Sequence, residues 1–145
     1  MIQFIQNING IKLQHQNEIP LFEKTNIPPD YGDKLISRIY SDGSLYYLSL
    51  ARDSADSAIS SGKWNFAATV TEKGVKAIQE VLEKCCELES NVPKGGNIRG
   101  AVTWKIRCKS GIQEFLIAGI PEGKHQVFTQ IDLLINSNIK PFLSE

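Results

Sequence analysis

Residues 101–108 alternate without a break, with Val102, Trp104, Ile106 and Cys108 on one side and Thr103, Lys105 and Arg107 on the other. A period of two is the signature of a half-buried strand. If Ser110-Gly111 forms a two-residue turn, the next run folds back with Arg107 opposite Glu114, Ile106 opposite Phe115 and Trp104 opposite Ile117. The stretch from Leu35 to Leu50 contains Asp42-Gly43, a type I′ turn signal because both central positions need positive φ. Closing that turn pairs Ile39 with Tyr46, Ser37 with Leu48 and Leu35 with Leu50 on a core-facing side. Ile36, Arg38, Tyr40, Leu45 and Tyr47 are left on the reverse side, which is more apolar and aromatic than a solvated sheet face. Asn9-Gly10 marks a third hairpin, setting Ile8 opposite Ile11 and gathering Phe4, Ile8, Ile11 and Leu13 on a common face. Trp64 to Val70 reads as a further strand, with Trp64, Phe66, Ala68 and Val70 turned one way.

That strand runs into a helix. Thr71 is suited to the N-cap, Glu72 to the first turn, and Val75, Ile78, Val81, Leu82, Cys85 and Leu88 fall in one stripe at helical spacing. A second helix is predicted over Lys124 to Ser137, with Val127, Phe128, Ile131, Leu134 and Ile135 on its apolar side. Glu18 to Asp33, which holds three prolines, and Arg52 to Gly62, a small polar stretch read as a mobile loop, receive no element.

The order from Leu35 onward is β-β-β-α-β-β-α, preceded by an N-terminal hairpin or extended segment. It predicts an α+β fold: a mainly antiparallel β-sheet with two α-helices packed on one face, the face carrying Leu48, Phe66, Trp104, Ile106, Phe115 and Ile117. Residues 1–145 form a single domain in this reading, with residues 1–33 as the N-terminal hairpin and proline-containing segment and residues 52–62 as the mobile loop. The order resembles the layout of small emfourin-like metalloprotease inhibitors, a likeness of layout without a shared motif.

Composition narrows the function classes. Apolar residues make up 41% of the chain and charged residues 22%, as in a folded globular domain. Sixteen basic and sixteen acidic residues cancel, so there is no net field to draw nucleic acid or an anionic membrane surface. The amino terminus lacks a basic n-region, and no apolar run approaches the ~18 residues of a membrane span. Three cysteines, two of them adjacent, read as free thiols in a reducing, cytoplasmic setting.

Candidate chemistry is sparse. Cys85 and Cys86 point ~100° apart on a helix and do not make a tetrahedral metal pair. His15 and His125 are expected at the surface. No nucleophile motif is present, Lys94–Gly100 precedes a strand rather than a helix, and no cofactor or metal is called for. The remaining feature is the reverse side of the second hairpin, where Arg38, Tyr40, Leu45 and Tyr47 are candidate binding residues because interfaces favour Tyr and Arg. The N-terminal hairpin or Pro28–Tyr31 would cover them, or a protein partner, a second copy of the chain or a small ligand would. The functional expectation is a non-catalytic protein-interaction or regulatory module, homodimeric in one form. The alternative is a small enzyme or ligand-binding domain with its pocket between the sheet and the N-terminal segment.

Overall fold

The computed structural model describes residues 3–28, 33–51, 59, 61–91 and 100–141. Six strands, β1 (Phe22–Asn26), β2 (Lys34–Ile39), β3 (Ser44–Leu50), β4 (Asn65–Thr69), β5 (Ala101–Cys108) and β6 (Gly111–Ala118), form one sheet. Its order is β4-β3-β2-β1-β5-β6, and every neighbouring pair is antiparallel. Among the elements whose ends are described, two α-helices, α1 (Glu72–Cys86) and α2 (Val127–Ser137), complete the predicted α+β fold. No described helix is long and apolar enough to cross a membrane.

The strand absent from the sequence reading is β1, drawn from the unassigned Glu18–Asp33 stretch, and it lies at the centre of the sheet between the two hairpins. Its sequence, FEKTN, carries two adjacent charges and looks solvated when read alone. Both charges are met by distant residues, Glu23 by Arg38 of β2 and Lys24 by Asp132 of α2 at 2.9 Å.

The β2–β3 connection corrects the predicted register. Tyr40 N–H donates to Ser44 O at 3.0 Å and Gly43 N–H to Tyr40 O at 2.9 Å, closing a three-residue loop, Ser41-Asp42-Gly43. Gly43 has φ +91°, whereas no described non-glycine residue has positive φ, so Asp42 cannot take its place in a type I′ turn. Ile39 therefore lies opposite Leu45, not Tyr46. The shift of one residue exchanges the predicted faces of β3 but leaves those of β2 as predicted. Ile39 and Leu45 join the cluster beneath the helices, while Ile36, Tyr40, Tyr46 and Leu48 join a second cluster on the other side. Phe66 is turned the same way as Leu48, because a register shift between Leu45 and Tyr46 pairs Ala68 with Leu45 but Phe66 with Tyr46. Leu48 and Phe66 are thus not under the helices as predicted.

The β5–β6 turn is Lys109-Ser110 rather than Ser110-Gly111, setting Trp104 opposite Phe115 and Lys105 opposite Glu114. This displacement is by two positions, so the faces survive: Trp104, Ile106, Phe115 and Ile117 all pack beneath the helices. Thr71 caps α1 through its hydroxyl, which accepts from Gly74 N–H at 3.1 Å, and the predicted stripe Val75, Ile78, Val81, Leu82 and Cys85 is buried. Gly74 has a packing reason. A Cβ there would stand 2.5 Å from Asn138 Cβ and 2.8 Å from Val70 Cγ1, so the residue admits the end of α2. From α2, Phe128 meets Trp104 and Phe115 with ring centroids 5.3 and 5.2 Å away.

On the opposite face, Ile11, Ile36, Tyr40, Tyr46, Leu48, Leu50 and Trp64 form the second buried cluster, with Ile5 and Ile59 against it. The predicted turn at Asn9-Gly10 forms, since Ile11 N–H reaches Ile8 O at 3.0 Å, but no strands flank it. It docks on Trp64, whose N–H donates to Asn9 O at 2.7 Å. Ile8 and Leu13 face solvent instead of sharing a face with Ile11. Pro29–Gly32, most of Arg52–Gly62 and the Lys94–Arg99 run lie outside the described residues.

The thiols also need correction. Cys86 and Cys108 form a disulfide, joining the last residue of α1 to the last residue of β5. Cys86 follows the stripe residue Cys85, and Cys108 shares the side of its strand that carries Trp104 and Ile106; packing of α1 on that side brings the two together. The cytoplasmic expectation rested on free thiols, and the cross-link removes that ground. Cys85 remains a free, buried thiol, pushed up to about 12 by burial. Alkylation followed by mass spectrometry should leave all three cysteines of the folded, oxidised protein unlabelled. After mild reduction, Cys86 and Cys108 should label and Cys85 should stay protected; fast labelling of Cys85 would contradict the phase of α1.

Candidate functional site

The polar groups that converge in this fold lie on the sheet face away from the helices. Glu23 of β1 and Arg38 of β2 are paired across the ladder and are only 2% and 3% exposed. Burying two charges is costly unless their remaining hydrogen-bonding capacity is used. Here much of it is used on one residue of the N-terminal segment. Ile5 donates its N–H to both Glu23 carboxylate oxygens, at 3.1 and 3.2 Å, and its carbonyl accepts from Arg38 Nη2 at 2.9 Å. Arg38 Nη1 donates to the Tyr40 hydroxyl at 3.0 Å, and the guanidinium sits 4.3 Å from the centroid of the Trp64 ring. Among the described residues, Arg38 Nε is a buried donor with no acceptor. Burial raises the Tyr40 hydroxyl above its usual range, and the neighbouring Arg38 only partly opposes this.

Trp64 and Asn7 extend the contact two residues along. The Trp64 indole N–H donates to Asn7 O at 2.9 Å, and the Asn7 carboxamide donates to Ile59 O and Gly62 O, both at 2.7 Å. One row of groups, Glu23, Arg38 and Trp64, thus holds positions 5 and 7 together. Beside them is a cleft of about 320 Å³, bordered by Phe4, Ile8, Glu18, Arg38, Tyr40 and Ile112.

A second buried chain of hydrogen bonds adjoins this one. His15, expected at the surface, is 1% exposed and stacks on Tyr40 at 4.7 Å. Its Nε2 lies 2.7 Å from Asp42 Oδ2 and its Nδ1 lies 2.9 Å from the Tyr46 hydroxyl. A carboxylate can only accept, so Nε2 carries the proton, and in the neutral ring Nδ1 accepts from Tyr46 O–H. Lys12 N–H donates to the same hydroxyl at 3.2 Å. Burial would raise the Asp42 carboxyl, but hydrogen bonds from Ser44 and His15 outweigh it and hold the group below the ordinary carboxylate range. The order Asp-His-Tyr resembles an activated nucleophile with its base. Tyr46 is fully buried, however, so its oxygen has no route to a substrate, and the chain ties the Lys12–His15 turn to the hairpin.

The four binding candidates do not share a face. Arg38 and Tyr40 are buried beneath the N-terminal segment, the cover that the sequence reading gave as one option. Leu45 is half-buried against the helix-side core, and Tyr47, 38% exposed, is on that same side. Glu23, Asn7, His15 and Trp64 were missed as site residues. Glu23 sat in an unassigned segment, and nothing local links His15 to Asp42 or Asn7 to Ile59. The signal that was present, an arginine and tyrosines on an unexplained hairpin face, pointed to Arg38 and Tyr40 but not to the residues around them.

No protein-family model, curated protein or solved structure matches this chain.

Proposed function

We propose that the chain is a non-catalytic interaction module that holds a polypeptide segment by its main chain on the sheet face away from its helices, with its own residues 3–8 as the resting occupant. The observation that carries this is the Glu23–Arg38 pair, whose buried charges bond both main-chain groups of Ile5. Reading N–H and C=O of one residue is what an added strand does; it gives affinity without regard to side chain, while neighbouring pockets give selectivity. Here the pockets take an apolar side chain, Ile5, and an Asn two residues on. Beyond these contacts and the Trp64 indole bond to Asn7 O, the segment buries little apolar surface. Gln3, Gln6 and Ile8 are exposed, and Ile5 is the one residue of the segment that packs on the apolar cluster. A segment with so few buried contacts belongs to the part of a fold that opens locally.

A fluorescently labelled peptide of residues 3–10 (QFIQNING), titrated against the full chain, tests the reading. The resident segment competes, so the unaltered chain binds weakly, by the fraction of time its groove is open. Asn7→Ala in the protein removes two hydrogen bonds that hold the competitor and should tighten binding about tenfold. Methylating the Ile5 amide of the peptide should abolish binding. No saturable binding to a folded Asn7→Ala chain, or equal binding of the methylated peptide, would refute the proposal.

A further inference from the structure

The sheet has two edges, and they are treated differently. Ile139 bridges to Val70 just past the end of β4, Lys140 N–H reaches Thr69 O at 2.8 Å, and the β3–β4 pairing is irregular. At the other edge β6, with sequence GIQEFLIA, contains no proline, no lysine and one charge, and its pairing with β5 is regular throughout. A regular, nearly uncharged edge is a template for another strand. Among the described residues, one side chain stands against it. Asn91 accepts from Leu116 N–H at 2.7 Å and donates to Leu116 O at 3.0 Å, so its carboxamide fills the place of a partner strand at that residue. Alternation then turns the main-chain groups of Ile112, Glu114 and Ala118 outward as well.

Asn91 lies five residues beyond Cys86, whose disulfide to Cys108 and whose carbonyl, accepting from Gln113 Nε2 at 3.1 Å, fix the start of the segment that carries it. Both half-cystines are partly buried in the wall of a cleft of about 660 Å³ that also holds Arg107 and Lys109. Cations beside a disulfide attract a thiolate and stabilise the one that leaves.

We infer that Asn91 is a removable plug on the β6 edge, held by the Cys86–Cys108 cross-link, and that reduction of the cross-link frees the edge to pair with β6 of a second copy. In the reduction, the thiolate of a low-molecular-weight thiol attacks one cystine sulfur and forms a mixed disulfide, expelling the other cysteine as thiolate. A second thiol attacks that mixed disulfide, so two thiols are oxidised to their disulfide while Cys86 and Cys108 each gain a proton and an electron. The second copy fits by register. Antiparallel pairing centred on Phe115 sets Ile112 opposite Ala118 and Glu114 opposite Leu116. All four present outward main-chain groups, and no like charges lie directly opposite each other. That register needs the N–H and C=O of Leu116, the pair Asn91 occupies. Ile112 at one end of this edge borders the cleft beside Ile5, but Asn91 and Leu116 do not take part in the Ile5 contacts, so either proposal can fail without the other.

Sedimentation of the full chain decides it. The oxidised protein is expected as a monomer, and both the reduced protein and oxidised Asn91→Ala as a species of roughly double the mass. Adding Glu114→Pro, at an outward position where proline removes no bond to β5, should return both to monomer. A monomeric Asn91→Ala chain would overturn the plug; a dimeric Asn91→Ala chain with a monomeric reduced protein would overturn its control by the cross-link; a dimer that survives Glu114→Pro would overturn the edge. Should Asn91→Ala fail to fold, Asn91→Asp, which keeps the acceptor but loses the donor to Leu116 O, must raise dimer formation at least severalfold for the proposal to stand.

Discussion

Arg38→Met should destabilise the fold by about 3–5 kcal/mol in chemical denaturation, because it leaves the Glu23 carboxylate buried without its counter-charge. The pair is sealed by Ile5, Tyr40 and Trp64, so water cannot replace the guanidinium without opening the N-terminal segment. Glu23→Gln combined with Arg38→Met removes both charges and keeps a carbonyl acceptor for Ile5 N–H. The double variant should therefore recover most of the loss, ending less than about 2 kcal/mol below the unaltered protein. Losses that simply add would mean that the two charges act independently.

Trp104→Ala should cost a similar amount, about 3–5 kcal/mol, by a different route. The indole is 2% exposed, with Phe22 and Phe128 at ring-centroid distances of 5.2 and 5.3 Å, and truncation leaves a cavity that the sheet and α2 cannot close. Lys105→Ala, one position along on the opposite face, should cost less than about 1 kcal/mol. Thr103 is not a suitable surface control, since it is 8% exposed and buried on that opposite face. Denaturation midpoints of the two variants check this, and equal losses would contradict the placement of the helices.

Periodicity carried the helices and the β5–β6 hairpin because each of those patterns is one-sided. The buried stripe of α1 matches the spacing of Val75, Ile78, Val81, Leu82 and Cys85 residue by residue. At β2–β3 the pattern failed because both sides are covered: Ile39 and Leu45 are apolar for the helices, Ile36, Tyr46 and Leu48 for the second cluster. With apolar residues on both faces, hydrophobicity does not choose the register. Asp42-Gly43 does not choose it either, since a two-residue and a three-residue loop both put Gly43 at positive φ.

The buried polar cluster was only partly legible in the sequence for a related reason. Arg38 and Tyr40 stood out because they broke the expected polarity of a sheet face. Their partner Glu23 was hidden in a short polar strand flanked by prolines, whose place at the centre of the sheet depends on pairings with residues far along the chain. Main-chain recognition of Ile5 leaves no mark in the sequence at all, because the groups being read belong to every residue.

Residue-resolved hydrogen exchange on the unaltered protein tests most directly whether the N-terminal segment is a displaceable occupant. The Ile5 amide is predicted to exchange by local opening, at least a hundredfold faster, by roughly 3 kcal/mol of difference, than the amides of Ile39 and Phe115 in the sheet. If Ile5 exchanges only as slowly as those two, the segment leaves the sheet only when the whole fold unfolds, and the groove has no second occupant to offer.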